Sequence, residues 1–123
     1  MTWGLIDMSD DSTNDSNGAV EIVVVSMQFD AIDHSERHDE LRSVLSKYVV
    51  LARMEPGCRN IDMVSSVTHE RRHLVIEKWE SPESQRRHFD SAVMVEMASG
   101  CAGLLSRPPQ IDLWEATSAH DLR

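Results

Sequence analysis

The sequence has few cysteines, few positive charges and no long apolar run, and each of these absences excludes a class of protein. Its two cysteines, Cys58 and Cys101, are too few for a disulfide scaffold, and neither belongs to a CxxC or metal-ligand pattern. We expect two free, partly buried thiols, not nucleophiles. No stretch approaches the roughly 20 apolar residues that a membrane-spanning helix requires, so no membrane partner is expected.

Positive charge is scarce because 21 Asp and Glu residues outnumber 12 Lys and Arg residues, which gives a formal net charge of −9. This charge opposes nonspecific binding to nucleic acid or to an anionic membrane. A basic segment followed by an apolar one, as in a secretion signal, is also missing, which predicts a cytoplasmic protein. We therefore expect neither nucleic acid nor membrane among the partners.

A chain of 123 residues has room for one domain. Residues 1–18 are rich in Ser, Asp, Asn and Gly, which predicts a disordered acidic tail. The domain is expected over 19–117, followed by a short C-terminal tail over 118–123. About 100 residues make a small core, and chains of this size often bury surplus apolar surface by forming a homodimer.

The first half of the domain predicts a strand, a helix and a hairpin. The apolar, β-forming run at 20–29 predicts the strand. Asp33 predicts an N-cap for a helix whose apolar residues recur at helical spacing up to Ala52, and Pro56–Gly57 ends it. Two short strands, at 58–67 and 73–80, follow with a polar turn between them.

The second half predicts a helix and a final strand. Ser81 is a good N-cap with Pro82 at the first helical position. Helical character continues to about Gly100 or Gly103, with a break near Asp90–Ser91. The last strand is expected at 110–116, after a linker that contains two prolines.

The resulting order, βαββαβ, is the ferredoxin-like arrangement of the α+β class, an antiparallel sheet with its helices on one face. The other face needs cover if it is apolar. A second copy supplies that cover in a sheet-to-sheet dimer, so a dimeric α/β barrel is the predicted assembly.

Three local patterns carry the functional signal. They are the turn Glu55-Pro56-Gly57-Cys58, the string Glu77-Lys78-Trp79-Glu80 at a strand end, and His88, nine residues beyond Trp79. In this order on a βαββαβ chain, they resemble the antibiotic biosynthesis monooxygenase family over about 20–116. Where that family often has an aromatic residue in the second strand, this sequence has Ile61.

The resemblance implies oxygenation of a planar, electron-rich phenol, quinol or anthrone by dioxygen, with no metal or other cofactor. It gives His88 the role of general base, because imidazole titrates near neutral pH. Trp79 would stack on the flat substrate. Glu77 shares a strand face with Trp79 and would orient a substrate hydroxyl. The expected partners are a small aromatic substrate, dioxygen and a second copy of the chain.

Four further residues are candidates for substrate binding. Ser26 and Gln28 are the polar residues of the first strand, where the family often carries an amide. Met63 and Met94 belong with Met54 and Met97 to a set of methionines that fill the core, some of which would line a pocket.

The remaining histidines are expected to be structural or exposed. His34 and His38 have the i, i+4 spacing of a metal chelate, but the pattern supplies no third ligand. A solvated helix start is therefore the favoured interpretation. His69 and His73 flank the hairpin turn and are expected to be exposed.

Other functions remain open at this point. A haem-degrading oxygenase of the same fold would use Trp79 beside the haem and His88 as the iron ligand. The fold also serves non-catalytic small-molecule-binding modules and proton-transferring isomerases. If these three residues have no catalytic role, Trp79 is a core or interface residue, His88 faces solvent and Glu77 pairs with an arginine.

Overall fold

The computed structural model describes residues 21–118, and the order of its elements confirms the prediction. The predicted N-terminal tail and nearly all of the C-terminal tail lie outside the described residues. The predicted second helix divides at Asp90–Ser91 into α2 and α3. The elements are β1 (Val23–Asp30), α1 (Ser35–Ala52), β2 (Cys58–Ser65), β3 (Arg72–Trp79), α2 (Pro82–Phe89), α3 (Ala92–Gly100) and β4 (Gln110–Glu115).

The strands form one antiparallel sheet in the order β2-β3-β1-β4. This is the ferredoxin-like topology that the sequence predicts. β1 lies between β3 and β4, and Val25 is paired with Glu77 on one side and with Leu113 on the other. The apolar β1 therefore occupies an interior position, as its composition indicates.

The hydrophobic core lies between one face of the sheet and the helices. Alternate β1 residues, such as Met27 and Phe29, point into it and are fully buried. They pack in the same core cluster as Leu41 and Leu45 of α1, which confirms that the helices cover one face. No helix within residues 21–118 is both long and apolar enough to cross a membrane.

The second face of the sheet carries the intervening residues and is covered by no helix of the described chain. Its apolar side chains include Val24, Leu74, Ile76 and Trp114, and Trp114 is 56% exposed. Ser26 lies on the same face, and its Oγ accepts a hydrogen bond from Trp114 Nε1 at 2.9 Å. This mixed apolar and polar face is referred to below as the open face.

The start of α1 differs from the prediction, because the N-cap is His34 and not Asp33. His34 has extended backbone angles, and its Nδ1 accepts a hydrogen bond from Arg37 N at 3.3 Å. Asp33 lies one residue too early for that contact, and its carboxylate is instead 3.8 Å from Arg71 Nη1. Asp is generally preferred over His at an N-cap, but α1 begins at Ser35, so the residue in the N-cap position is His34.

The prediction for Met54 is also wrong. Met54 is 71% exposed, whereas Met94 and Met97 are buried in the core as expected. The difference arises because α1 ends at Ala52, so Met54 falls in the turn that leaves the helix and no longer follows its apolar stripe.

Candidate functional site

A continuous network of hydrogen-bonded side chains lies buried between β3 and the helices. His88 Nδ1 is 2.9 Å from Glu55 Oε1, and His88 Nε2 is 2.7 Å from the Tyr48 hydroxyl. The same hydroxyl donates a short hydrogen bond to Glu77 Oε2. Trp79 Nε1 donates to Glu77 Oε1 at 2.9 Å. The three residues predicted to be catalytic therefore come together, joined by Tyr48 and Glu55.

The strand and helix signals around Trp79 place His88 over it. Glu77 and Trp79 project from the same face of β3, as the two-residue period requires. Ser81 caps α2 by accepting a hydrogen bond from Ser84 N at 3.1 Å, and Pro82 begins the helix. The chain thus turns back at once, and the rings of His88 and Trp79 stack with centroids 4.5 Å apart.

The turn after α1 brings Glu55 to the other side of His88. Gly57 has a positive φ of 88° there, which glycine adopts without strain. A Cβ at this position would lie 2.4 Å from Ser84 Cβ, so only glycine lets the turn approach α2 this closely. The Pro-Gly pattern therefore controls the distance between the Glu55 carboxylate and His88.

The burial of the network changes the acid strength of two of its members. Burial raises the pKa of Glu77, and hydrogen bonds from Tyr48 and Trp79 partly oppose that increase. Burial, together with the neighbouring Glu77, raises the pKa of Tyr48 well above its usual value of 10. Tyr48 is therefore a neutral hydroxyl that can receive one proton as it releases another.

Two arrangements of the same three protons satisfy this geometry. In one, a Glu77 carboxylate accepts from Tyr48, and a His88 imidazolium donates to Tyr48 and to Glu55. In the other, a protonated Glu77 donates to Tyr48, and Tyr48 donates to Nε2 of a neutral His88. Converting one into the other moves a proton across Tyr48, so the network has the connections of a proton relay.

His88 is enclosed by these contacts. Only 4% of its surface is exposed, and both ring nitrogens have protein partners. Trp79 is fully buried, and the stacked His88 covers part of its ring. A substrate therefore meets neither residue directly in this conformation.

A cavity of about 140 Å³ lies between α1 and α3 and is called the α1–α3 cavity below. Tyr48 lines it and also belongs to the network. The apolar part of its wall is formed by Val44, Leu51, Val93 and Met97. Tyr48 is 2% exposed, and it is the one residue of this lining that also contacts His88.

The four residues predicted to bind substrate do not share one site. Ser26 and Gln28 lie on the open face, on the side of the sheet opposite Glu77. Met63 lies on the helix side of β2 and packs against the core, and Met94 is buried within that core. None of the four is among the residues that line the α1–α3 cavity. Their role in substrate binding stays a prediction.

Tyr48 and Glu55 were not predicted as site residues, because their signals in the sequence are weaker. Tyr48 is the one tyrosine of the sequence and lies in the apolar stripe of α1. A buried phenol needs a hydrogen-bond partner, which points to a polar group beneath the helix. Glu55 precedes the Pro-Gly turn, where an acidic residue is otherwise unremarkable.

A separate pair of histidines corrects another prediction. His73 is not exposed but 99% buried, since its relative exposure is 1%. Its Nε2 lies 2.7 Å from Nε2 of His38, and its Nδ1 lies 2.9 Å from Ser65 Oγ. No group of three or more His, Cys, Asp or Glu residues within the described range is arranged to hold a metal ion.

We expect this pair to make stability depend on pH. Burial lowers the pKa of His38 and of His73, and the charge of Arg42 acts in the same direction on both. Because the unfolded chain binds these protons more readily, the stability is present above the ordinary histidine pKa of about 6.5 and is lost as the pH falls below it. The free energy of unfolding in urea should therefore be lower at pH 5.5 than at pH 7.5.

His38→Gln should reduce this dependence, whereas His69→Gln, a change at an exposed histidine of the hairpin turn, should leave it unchanged. Equal pH slopes for wild type and His38→Gln would mean that the histidine pair does not control this range.

Comparisons with known proteins agree on the fold. The family model described as antibiotic biosynthesis monooxygenase matches residues 22–99. No curated protein matches the chain significantly in sequence. The Mycobacterium tuberculosis protein Rv0793 is 22% identical, with 82% of this chain and 99% of that one covered and a TM-score of 0.72.

Two solved structures named for antibiotic biosynthesis monooxygenases are also similar to this chain. The Nitrosomonas europaea protein is 12% identical, with 84% of this chain and 97% of that one covered and a TM-score of 0.73. The Deinococcus radiodurans protein is 19% identical, with 82% and 98% covered and a TM-score of 0.72. At these identities the likeness shows the fold, and the activity has to be argued from the site.

Proposed function

The chain belongs to the antibiotic biosynthesis monooxygenase family, and on that premise we propose that it oxidises a planar phenol or quinol with dioxygen without a cofactor. The observation that carries this proposal is the position of Tyr48, which lines the α1–α3 cavity and contacts both His88 and Glu77. A cavity joined to a buried acid–base network is what deprotonation of a bound phenol requires.

The proposed reaction begins with a proton transfer. The substrate hydroxyl gives its proton to Tyr48 as Tyr48 gives its own to His88 Nε2. His88 then carries a positive charge, which the Glu55 carboxylate at Nδ1 stabilises. The proposed base is therefore His88, as the resemblance implies, but Tyr48 is the residue that contacts the substrate.

The electrons for the oxygenation come from the substrate. The phenolate gives one electron to dioxygen, and the aryloxyl radical and superoxide combine to form a carbon–oxygen bond. The peroxide then takes up a proton and loses water, leaving a quinone. One oxygen atom enters the product and the other enters water, so a phenol and dioxygen yield a quinone and water with no external reductant.

Trp79 and Glu77 take positioning roles in this proposal. Trp79 stacks on His88, so it holds the imidazole and does not hold the substrate ring. Glu77 accepts from Trp79, and in the arrangement that the reaction uses it is protonated and donates to the Tyr48 oxygen, so that the proton of Tyr48 is directed at His88 Nε2. This differs from the roles that the resemblance implies, because both side chains are almost completely buried.

The geometry fits a haem oxygenase less well. Iron ligation needs a free imidazole nitrogen, and both nitrogens of His88 contact protein groups, at 2.7 Å and 2.9 Å. Binding haem iron would require His88 to leave Tyr48 or Glu55. For this reason we assign His88 the role of a base and not that of an iron ligand.

We also infer that the chain forms a homodimer through the open face. Val24, Leu74, Ile76 and Trp114 give this face an apolar centre that nothing covers within the described chain. Large exposed apolar patches usually mark an interaction surface. Sedimentation equilibrium should give the mass of two chains, and a mass of one chain would contradict the inference.

Oxygen uptake by the purified, chelator-treated protein tests the function. With a panel of phenols, hydroquinones and anthrones, we expect uptake above the rate without protein for at least one compound. With labelled dioxygen, one labelled atom should appear in the quinone. Uptake that yields hydrogen peroxide with no label in the product would identify an oxidase and contradict the oxygenase proposal. Complete inactivity on this panel would favour the binding-module alternative.

A further inference from the structure

The size of the α1–α3 cavity limits the substrate. Its volume is about 140 Å³, and an apolar protein cavity of about 150 Å³ holds one benzene molecule. The cavity is half open to solvent, and a single aromatic ring fills the space within its walls. The further rings of a fused system would have to extend through the open side.

The walls that set this volume belong to two packed helices. Val44 and Leu51 come from α1, and Val93 and Met97 come from α3. The helices approach closely at one end, where a Cβ placed on Gly100 would lie 3.1 Å from Val44 Cγ1. Widening the cavity for a larger ring system would require the two helices to separate and would disturb their packing.

The charged residues of the cavity wall favour a neutral ligand. Lys47 and Glu96 also line the cavity, and Lys47 Nζ is 2.8 Å from Glu96 Oε2. Their side chains are 64% and 56% exposed, so they lie on the solvent side of the cavity. Since each neutralises the other, an anionic group on the ligand would have to displace Glu96 from Lys47 to gain a partner.

We propose that the α1–α3 cavity binds a neutral ligand with one aromatic ring, a phenol or hydroquinone, and excludes fused polycyclic substrates. This inference rests on the proposed function for the chemistry of the ligand. The ring packs between Val44, Leu51, Val93 and Met97, at the Tyr48 end of the proton relay. The enzyme thus selects its substrate by size, before the proton transfer takes place.

Binding without oxygen tests the size limit separately from turnover. Dissociation constants are measured under argon by NMR titration for hydroquinone, 1,4-dihydroxynaphthalene and anthrone. We expect hydroquinone to bind at least about tenfold more tightly than either larger compound, because forcing extra atoms between the packed walls of α1 and α3 is costly. The shifted resonances should include those of Tyr48 and Met97. Equal binding of all three compounds, or no binding of hydroquinone, would overturn the proposal.

A matched pair of variants locates the site. Val93→Phe places a larger ring in the cavity wall, and Val95→Phe makes the same change two residues along α3 at a position that is 61% exposed. Hydroquinone affinity should fall about tenfold or more in the first variant and stay within about twofold in the second. Similar affinities in the two variants would show that the ligand binds elsewhere.

A second pair covers the case in which Val93→Phe fails to fold. Leu51→Ala enlarges the cavity. Val50→Ala is the control, because it shortens the preceding side chain, which is 56% exposed and does not line the cavity. Only Leu51→Ala should improve the binding of 1,4-dihydroxynaphthalene relative to hydroquinone, by about tenfold. An unchanged ratio would contradict the size limit.

The proposed function and the size limit can fail separately. Selective binding of hydroquinone without oxygen uptake in air would support the cavity assignment and contradict the oxygenase. Uptake with anthrone as fast as with hydroquinone would support the oxygenase and overturn the size limit.

Discussion

Replacing Tyr48 with phenylalanine should lower substrate-dependent oxygen uptake about 100-fold, the lower end of the range for loss of an acid–base group. The change removes one oxygen atom from a residue that lines the cavity. Without the hydroxyl, the hydrogen bonds from Tyr48 to His88 and Glu77 are lost, and the proposed relay is interrupted. The rate is measured by an oxygen electrode at saturating substrate, so that weaker binding does not count as slower chemistry.

His88→Ala should reduce uptake by a similar factor or more, because it removes the final proton acceptor. If Tyr48 and His88 act as one relay, the double variant should be no slower than His88→Ala alone, since residues that act as a unit are not additive. His69→Ala, a change at an exposed histidine, should keep the wild-type rate.

The variants also separate the relay from direct contact between substrate and His88. If Tyr48→Phe keeps nearly all of the activity while His88→Ala loses it, then the substrate reaches the imidazole by displacing Tyr48.

The parts of the site that the sequence predicted are those set by local signals. Ser81 and Pro82 determine where α2 begins, and the two-residue period of β3 places Glu77 and Trp79 on one face. Together they bring His88 over Trp79, nine residues away along the chain. The turn at Gly57 is also local, since its glycine and proline mark the end of α1.

The parts that the sequence did not predict depend on contacts between distant elements. His73 was expected to be exposed because it lies near a turn, but α1 packs over it and His38 supplies a hydrogen bond across 35 residues. Tyr48 and Glu77 are 29 residues apart, and no periodicity joins them. Side-chain partners across elements become visible only after the helices are placed on the sheet.

The two faces of β1 were also hard to separate from the sequence. Val23, Val24 and Val25 are all apolar, so the strand lacks the alternation that normally tells the core face from the other face. Ser26 and Gln28 could therefore be assigned to the site by resemblance, although the pleat places them on the open face. β1 has apolar residues on both faces, since the open face is itself partly apolar.

Glu77→Leu should lower the free energy of unfolding by about 1–3 kcal/mol, because a buried donor loses its acceptor. That donor is Trp79 Nε1, whereas the Tyr48 hydroxyl can still donate to His88 Nε2, and Glu77 itself is 1% exposed. Leucine offers no acceptor and no space for water. Urea unfolding monitored by circular dichroism measures the change. Glu40→Leu, at an exposed position of α1, should alter stability by less than about 0.5 kcal/mol.

Glu77→Gln distinguishes the hydrogen bonds from the charge. Burial raises the pKa of Glu77, so the folded chain holds this proton to a higher pH than the unfolded chain does. That contribution is present below the ordinary carboxyl pKa and is lost as the pH rises through the folded pKa. Glutamine cannot titrate, so the difference in stability between Glu77→Gln and wild type should shift in favour of the variant as the pH rises from 5 to 8. A stability difference between the two proteins that stays constant over this range would contradict the raised pKa of Glu77 in the folded chain. The relay would then lack the protonated form of Glu77 that one of its two arrangements requires.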